Sequence, residues 1–189
     1  MVIIGLGHRK RMGKDTFAKI LKKTLKEKYP DKKIKIVGFA DNVKIVSQKL
    51  YGWAGLKDKT YYNSPEHEHE REMVIPRLGL SPRQIWEKMG TDVARNIWMD
   101  TWVELLLNDT KADILVIPDT RFPNEIEKIR KYNGRVIKIV RPGIPHIDNH
   151  VEGALADFDD WDYIVNNNGK KKCLHKEANK IIDMFFNNL

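Results

Sequence analysis

The sequence predicts an α/β fold, a mostly parallel sheet with helices on both faces. Three observations carry that expectation. Strand-like and helix-like segments alternate along the chain with connections too long for hairpins, the pattern of parallel strands joined by helical crossovers. The run Ile114-Leu115-Val116-Ile117 is continuously apolar, as a strand buried on both faces must be. A second apolar run, Val2-Ile3-Ile4-Gly5-Leu6, passes through a short cationic turn into a helical pattern.

Taken in order, Val2–Leu6 is the first strand. Phe17, Ile20, Leu21, Thr24 and Leu25 then recur at helical spacing with lysines between them, so Lys14 to about Lys28 reads as an amphipathic helix ended by Tyr29-Pro30-Asp31. Ile34–Phe39 is a short β pattern, after which Asp41 is placed to cap a helix carrying Val43, Ile45, Val46 and Leu50. Residues 51–80 lose periodicity and read as irregular surface with some helix. Ser81-Pro82 has the form of an N-cap followed by proline at the first helical position, opening a helix that Gly90 stops, with Thr91-Asp92 starting another through Ile97, Trp98 and Trp102. Asp113–Asp119 is the strongest strand pattern. A helix through Ile126, Ile129 and Tyr132 follows, closed by Gly134, then strands at Val136–Val140 and Asp162–Val165, and a last amphipathic helix over Leu174–Phe186.

Composition narrows the function classes. A 189-residue chain that is 41% hydrophobic and carries no Pro/Gly/Ser-rich linker is read as one folded domain with a substantial core. The net charge of +8 suits an anionic partner without choosing among nucleotide, nucleic acid and membrane surface. The lone Cys173 excludes an internal disulfide and fits a reducing compartment. No apolar signal segment precedes the first strand and no run has the length of a membrane span, so the expected location is the cytoplasm, without a membrane partner.

The most informative segment is Gly7-His8-Arg9-Lys10-Arg11-Met12-Gly13-Lys14-Asp15-Thr16. Phosphate binding needs a strand to deliver a loop, backbone N–H groups to surround phosphate oxygens, a lysine for the outer phosphates and a helix N-terminus aimed at the anion. The match to G-x-x-x-x-G-K-[ST] departs at two places: glycine is expected at His8, and a hydroxyl at Asp15, so that Thr16 falls one residue late. A solvated basic turn with a simple helix start is the plainer alternative, although Arg9, Lys10 and Arg11 crowd cations where an anion would relieve them.

In a parallel sheet, ligands sit beyond the carboxyl ends of the strands. The polar residues just past those ends are the Gly7–Thr16 loop, Asp41 with Lys44, Asp119 with Arg121, and Arg141. Lysine, several arginines and a carboxylate able to hold magnesium are what phosphoryl transfer requires. For Asp119 and Arg121 the alternative is an N-cap and a surface ion pair. The stretch Glu66-His67-Glu68-His69-Glu70-Arg71 reads as a solvated face rather than a metal site, because alternate His and Glu on a helix point around the cylinder. Trp86, Trp98 and Trp102 read as core or subunit interface rather than base-stacking platforms.

Assembled in order, these pieces resemble the phage-type deoxynucleoside monophosphate kinases over most of the chain. The loop ending in Gly13-Lys14-Asp15-Thr16, Phe39-Ala40-Asp41 through Lys44, Ser81-Pro82-Arg83-Gln84, Gly90-Thr91-Asp92 with Arg95, Asp119-Thr120-Arg121-Phe122-Pro123-Asn124-Glu125, Val140-Arg141-Pro142-Gly143, His150-Val151-Glu152 and the segment Asp162–Gly169 are each similar to family motifs. The resemblance implies a three-layer P-loop kinase fold with a five-stranded sheet, a single domain over 1–189 with an acceptor-binding helical insertion at about 41–110, and a lid-like loop at about 141–161. It implies ATP and Mg2+, with transfer of the γ-phosphate to a deoxynucleoside monophosphate. Lys14, Arg121 and Asp119 would be catalytic, and Arg9, Lys10, Arg11, Met12, Gly13, Lys14, Asp15, Thr16 and Arg141 would bind ATP. Asp15 and Asp119 would face the metal, and Asp41, Lys44, Arg71, Gln84, Arg95 and Glu152 would bind the acceptor. A homodimer and a host-cell cytoplasm, for a phage-encoded chain, are compatible with it.

Two other readings stay open at this point. Animal-type phosphomevalonate kinases share the Gly-Lys-Asp loop, the Asp-Thr-Arg strand end and the late Asp-x-Asp-Tyr segment, while Gly90-Thr91-Asp92 and Phe122-Pro123-Asn124-Glu125 favour the nucleotide kinases. A basic, non-enzymatic nucleic-acid-binding protein would use Arg9–Arg11 and the lysine-rich first helix on backbone phosphate. That job needs neither the tight loop nor the buried strand ending at Asp119.

Overall fold

A computed structural model describes residues 1–144 and 154–186. The chain forms two compact units, Met1–Gly38 with Thr110–Leu189, and Phe39–Asp109.

The first unit is built on five parallel strands: β1 (Val2–Gly7), β2 (Ile34–Ile36), β3 (Ile114–Thr120), β4 (Arg135–Val140) and β5 (Tyr163–Asn166), in the order β2-β3-β1-β4-β5. β1 lies at the centre because its two neighbours bury it from both edges. Val2 pairs with Ile114 and Ile4 with Val116 on one side, and Leu6 pairs with Ile137 on the other. The register slips between Gly5 and Gly7, where β1 leaves the ladder and enters the loop.

One sheet face carries Ile4, Leu6, Val116, Ile137, Ile139 and Val165 against α1 (Lys14–Lys28) and α8 (Lys171–Phe185), whose Phe17, Leu21, Leu25, Leu174, Ile181 and Ile182 complete a single apolar cluster. Each such side chain stabilises the fold by roughly 1.5–3 kcal/mol relative to exposure. On the opposite face α7 (Pro123–Lys131) sets Ile129 directly over Gly5, where a Cβ would lie 2.6 Å from its Cδ1. Helix, sheet and helix therefore stack as three layers.

The second unit is helical: α2 (Phe39–Tyr51), α3 (Lys59–Asn63), α4 (Pro82–Glu87), α5 (Ala94–Ile97) and α6 (Thr101–Asp109). Several expectations are corrected here. The strand expected to reach Phe39 ends at Ile36, because Phe39 already opens α2 and is buried in its first turn, so Asp41 lies inside the helix instead of capping it. Residues 51–80 are not merely surface. They supply Leu56 and Tyr62, which with Ile85 form a small core, and Asp58 caps α3 by accepting from the N–H groups of Thr60 and Tyr61.

Ser81 caps α4 as expected, with Gln84 returning the bond in a capping box. Gly90 does not stop that helix. The backbone widens into a π turn over Lys88–Val93 and continues as α5, so Thr91 and Asp92 lie inside a turn and start no new helix. The helix stops instead at Trp98, which is extended and 54% exposed, while Trp102 is buried and its indole N–H donates to the Gly90 carbonyl at 2.9 Å. Among the described residues no helix is long and apolar enough to cross a membrane.

Candidate active site

β1 ends at Gly7 and α1 begins at Lys14, so residues 8–13 form a loop at the carboxyl edge of the central strand, with Gly13 as the N-cap of α1. His8, Arg11 and Gly13 all have positive φ, 88°, 62° and 92°. Alternation of left-handed residues with ordinary ones curls a chain into a concavity lined by backbone N–H groups. His8 stands where the phosphate-loop pattern calls for glycine, and its φ explains why: that position is left-handed, and a side chain there costs about 1–3 kcal/mol unless its surroundings hold it.

Those surroundings are on β4. The His8 imidazole is partly buried and its pKa is lowered to about 4, first by loss of hydration and then by the charges of Lys138, Arg9 and Lys14, while a hydrogen bond to the Ile139 backbone works the other way. It is therefore neutral at neutral pH. The Nε of Arg9 is buried without an acceptor, a donor with unmet capacity inside the loop. Lys14 is only 7% exposed, and its Nζ donates to the carbonyls of His8, at 3.0 Å, and Arg9. Met12 is buried in the core beneath the loop. Lys10 is half-buried, whereas Arg11, Asp15 and Thr16 are exposed, the last two on the first turn of α1.

Two contacts from the β4–β5 side were not foreseen from sequence. Trp161 packs against Gly7 so closely that a Cβ there would collide with its ring. Asn167, one residue past β5, donates from Nδ2 to the Met12 carbonyl at 2.8 Å and blocks any Cβ at Gly13.

Asp119 and Arg121 flank the end of β3. The Asp119 carboxylate lies beside Gly38, and Arg121 leads into α7. The turn between them is held by Glu125, 1% exposed, whose Oε2 accepts from the N–H groups of Arg121 at 2.6 Å and Phe122 at 3.2 Å. A magnesium ion takes hard oxygen ligands and needs only one or two carboxylates beside phosphate and water. The Asp119 carboxylate, half-buried at a strand end, has the oxygen chemistry that demand calls for, and Asp15 offers an exposed oxygen pair. Among the described residues no group of three or more His, Cys, Asp or Glu is gathered as a metal cage. Arg141 is exposed just beyond β4, and Glu152 lies outside the described residues.

The expected acceptor residues of the second unit are placed differently from one another. Asp41 pairs with Lys59 at 3.0 Å, and the Lys44 ammonium lies 5.1 Å from the centroid of the Trp86 ring. Gln84 is exposed, with Oε1 accepting from the Ser81 N–H at 2.9 Å. Arg95 is buried to 7% exposure, its Nη1 donating to the Met99 carbonyl at 3.3 Å. Arg71 uses its fork within its own segment, donating to the Tyr62 carbonyl at 2.8 Å, to Asn63 at 3.0 Å and to Glu68 at 3.1 Å. His67 stacks on Tyr61 with centroids 4.0 Å apart and shares Glu70 with it.

Comparison with known proteins adds a relationship to this geometry. The model of the family described as deoxynucleotide monophosphate kinase matches residues 39–178. A putative deoxynucleotide monophosphate kinase of Acanthamoeba polyphaga mimivirus is 31% identical over 186 residues, covering 89% of each chain. The deoxynucleotide monophosphate kinase of Escherichia phage RB69 is 31% identical over 109 residues, covering 54% of this chain and 45% of that one. Among solved structures, a shikimate kinase from Bacteroides thetaiotaomicron aligns over 97% of both chains with a TM-score of 0.44 and 11% identity.

Proposed function

The chain belongs to the deoxynucleotide monophosphate kinase family, and from that premise we propose that it transfers the γ-phosphate of ATP to a deoxynucleoside monophosphate through the loop between β1 and α1. The single observation that carries the assignment of the loop is its shape: three left-handed residues, a buried Lys14 spanning the His8 and Arg9 carbonyls, and a helix N-terminus directly behind them. The concavity supplies N–H donors to phosphate oxygens. Lys14 exchanges its carbonyl partners for phosphate oxygens and neutralises charge that grows on the transferred group. Arg121 adds a planar fork for the same oxygens. Asp119 and Asp15 are the carboxylates that would hold magnesium, which would supply charge against the phosphate oxygens.

Asp41, Lys44, Gln84 and Arg95 are proposed to take the acceptor. Lys44 over Trp86 combines a cation with an aromatic face, a pairing suited to a nucleobase and its phosphate. Family membership favours the nucleotide over phosphomevalonate as acceptor. The chain is proposed to act in the cytoplasm, that of the host if it is phage-encoded, with small-molecule substrates as its partners.

A coupled ADP-release assay across the four deoxynucleoside monophosphates, with mevalonate phosphate as a fifth acceptor, tests the reading. Saturable ADP release with at least one nucleotide and none with mevalonate phosphate is expected. Release with mevalonate phosphate alone, or salt-sensitive duplex DNA binding without any ADP release, would overturn it.

A further inference from the structure

We propose that Asn167 is a positioning residue for the donor site: by holding the Met12 carbonyl it fixes the direction of the Gly13 N–H in the phosphate loop. The inference rests on the kinase reading above and goes beyond it, because Asn167 is not among the residues assigned there to ATP and acts through the Met12 carbonyl.

The geometry is specific. The Asn167 backbone N–H bonds the Val140 carbonyl at 2.7 Å, which anchors the residue to the end of β4 as the β4–β5 ladder finishes. From that anchor its side-chain amide donates to the Met12 carbonyl at 2.8 Å, across 155 residues of sequence. The Met12 side chain is itself buried in the core under the loop, so the residue is gripped at both its side chain and its carbonyl. A trans peptide group is planar, with C=O and the next N–H pointing in opposite directions. Turning the Met12 carbonyl toward Asn167 therefore turns the Gly13 N–H away from Asn167. Gly13, at φ 92°, has two reasons to be glycine: its left-handed backbone, and the Asn167 amide occupying the space of a Cβ.

A peptide plane that is not held can flip, and a phosphate would then meet a carbonyl oxygen in place of an N–H. The expected consequence is a weaker and less ordered ATP site with an unaltered acceptor site. Asn167→Asp keeps the shape but replaces the donor by an acceptor facing the Met12 carbonyl, and Asn167→Ala removes both. Steady-state kinetics should show the KM for ATP rising about tenfold, the size of one net hydrogen bond, with kcat reduced and the KM for the deoxynucleoside monophosphate within about twofold of the wild-type value. Calorimetric titration with ATP and magnesium in the absence of acceptor should show the same loss without turnover.

A purely structural role would lower the melting temperature while leaving the two KM values in their original ratio, and that result overturns the proposal. So does wild-type ATP binding by Asn167→Asp, the variant that preserves packing if Asn167→Ala fails to fold. Absence of nucleotide-dependent turnover in the wild-type chain would instead defeat the kinase reading, and the ATP titration still decides the role of Asn167 independently of it.

Discussion

The carboxylate of Asp119 lies so near Gly38 that a Cβ added to Gly38 would stand 2.7 Å from Oδ2. Gly38 follows β2 and Asp119 lies near the carboxyl end of the neighbouring β3, and the absence of a side chain on the first leaves room for the carboxylate of the second. Gly38→Ala should therefore push the Asp119 carboxylate aside and lower turnover by about tenfold or more, since small misplacements of a reacting group are costly. Circular dichroism should show the fold retained. Turnover equal to wild type would mean that the Asp119 position is not critical.

Asp119→Asn and Arg121→Ala should each lower turnover by different routes. On the proposed roles, the first would weaken magnesium positioning and the second would remove neutralisation of phosphate. Raising magnesium should partly restore the Asp119 variant and leave the Arg121 variant unchanged; identical magnesium responses would contradict this division.

Lys14→Met should reduce phosphoryl transfer at least about a hundredfold, the usual scale for loss of a charge contact in a transition state. Because Lys14 is buried and bridges two loop carbonyls, a modest fall in melting temperature is also expected, and methionine keeps most of the buried stem. Near-normal turnover in the folded variant would remove the loop from the mechanism.

Stability should rise with pH where His8 titrates. Its pKa is about 4 in the folded chain against 6.5 for an ordinary histidine, so between those values the unfolded chain binds more protons. The contribution is fully present above about pH 6.5 and is lost as pH falls toward 4. His8→Asn tolerates the left-handed backbone and does not titrate. The difference in melting temperature between pH 7 and pH 5 should shrink in that variant; an unchanged difference would show that His8 does not carry it.

Arg71→Ala should act on stability before it acts on substrate. Its three donors serve Tyr62, Asn63 and Glu68, so truncation should cost about 1–3 kcal/mol and speed hydrogen exchange over residues 59–75. Arg95→Ala should instead raise the KM for the deoxynucleoside monophosphate much more than that for ATP, as removal of uniform binding to one substrate does. An effect confined to ATP would move Arg95 to the donor side.

Where periodicity is long, the sequence announces the structure. The helix from Lys14 to about Lys28 is legible because Phe17, Ile20, Leu21, Thr24 and Leu25 repeat at helical spacing, and β3 because four consecutive apolar residues leave no polar face. The second unit was harder for a physical reason: α3 and α5 are five and four residues long, too short to display a period. The π turn at Gly90 was hidden because glycine is the expected sign of a helix end, whereas here the Trp102 indole holds its carbonyl. The loop residues 8–13 were visible as a motif. Their supports were not, because Asn167, Trp161 and Ile139 are distant in sequence and become neighbours only through the order β1-β4-β5. Arg71 shows the converse: it reads in the sequence as one charge among several, and its acceptors Tyr62, Asn63 and Glu68 become visible only in the folded segment.

The contact of Trp161 with Gly7 also gives the protein an optical handle. Of the five tryptophans, Trp53, Trp86, Trp98 and Trp102 fall in the helical unit and Trp161 in the sheet unit. Replacing those four by phenylalanine would leave one indole whose ring edge rests on Gly7, where β1 enters the loop proposed to take ATP, so a change in its emission on adding ATP would report binding there.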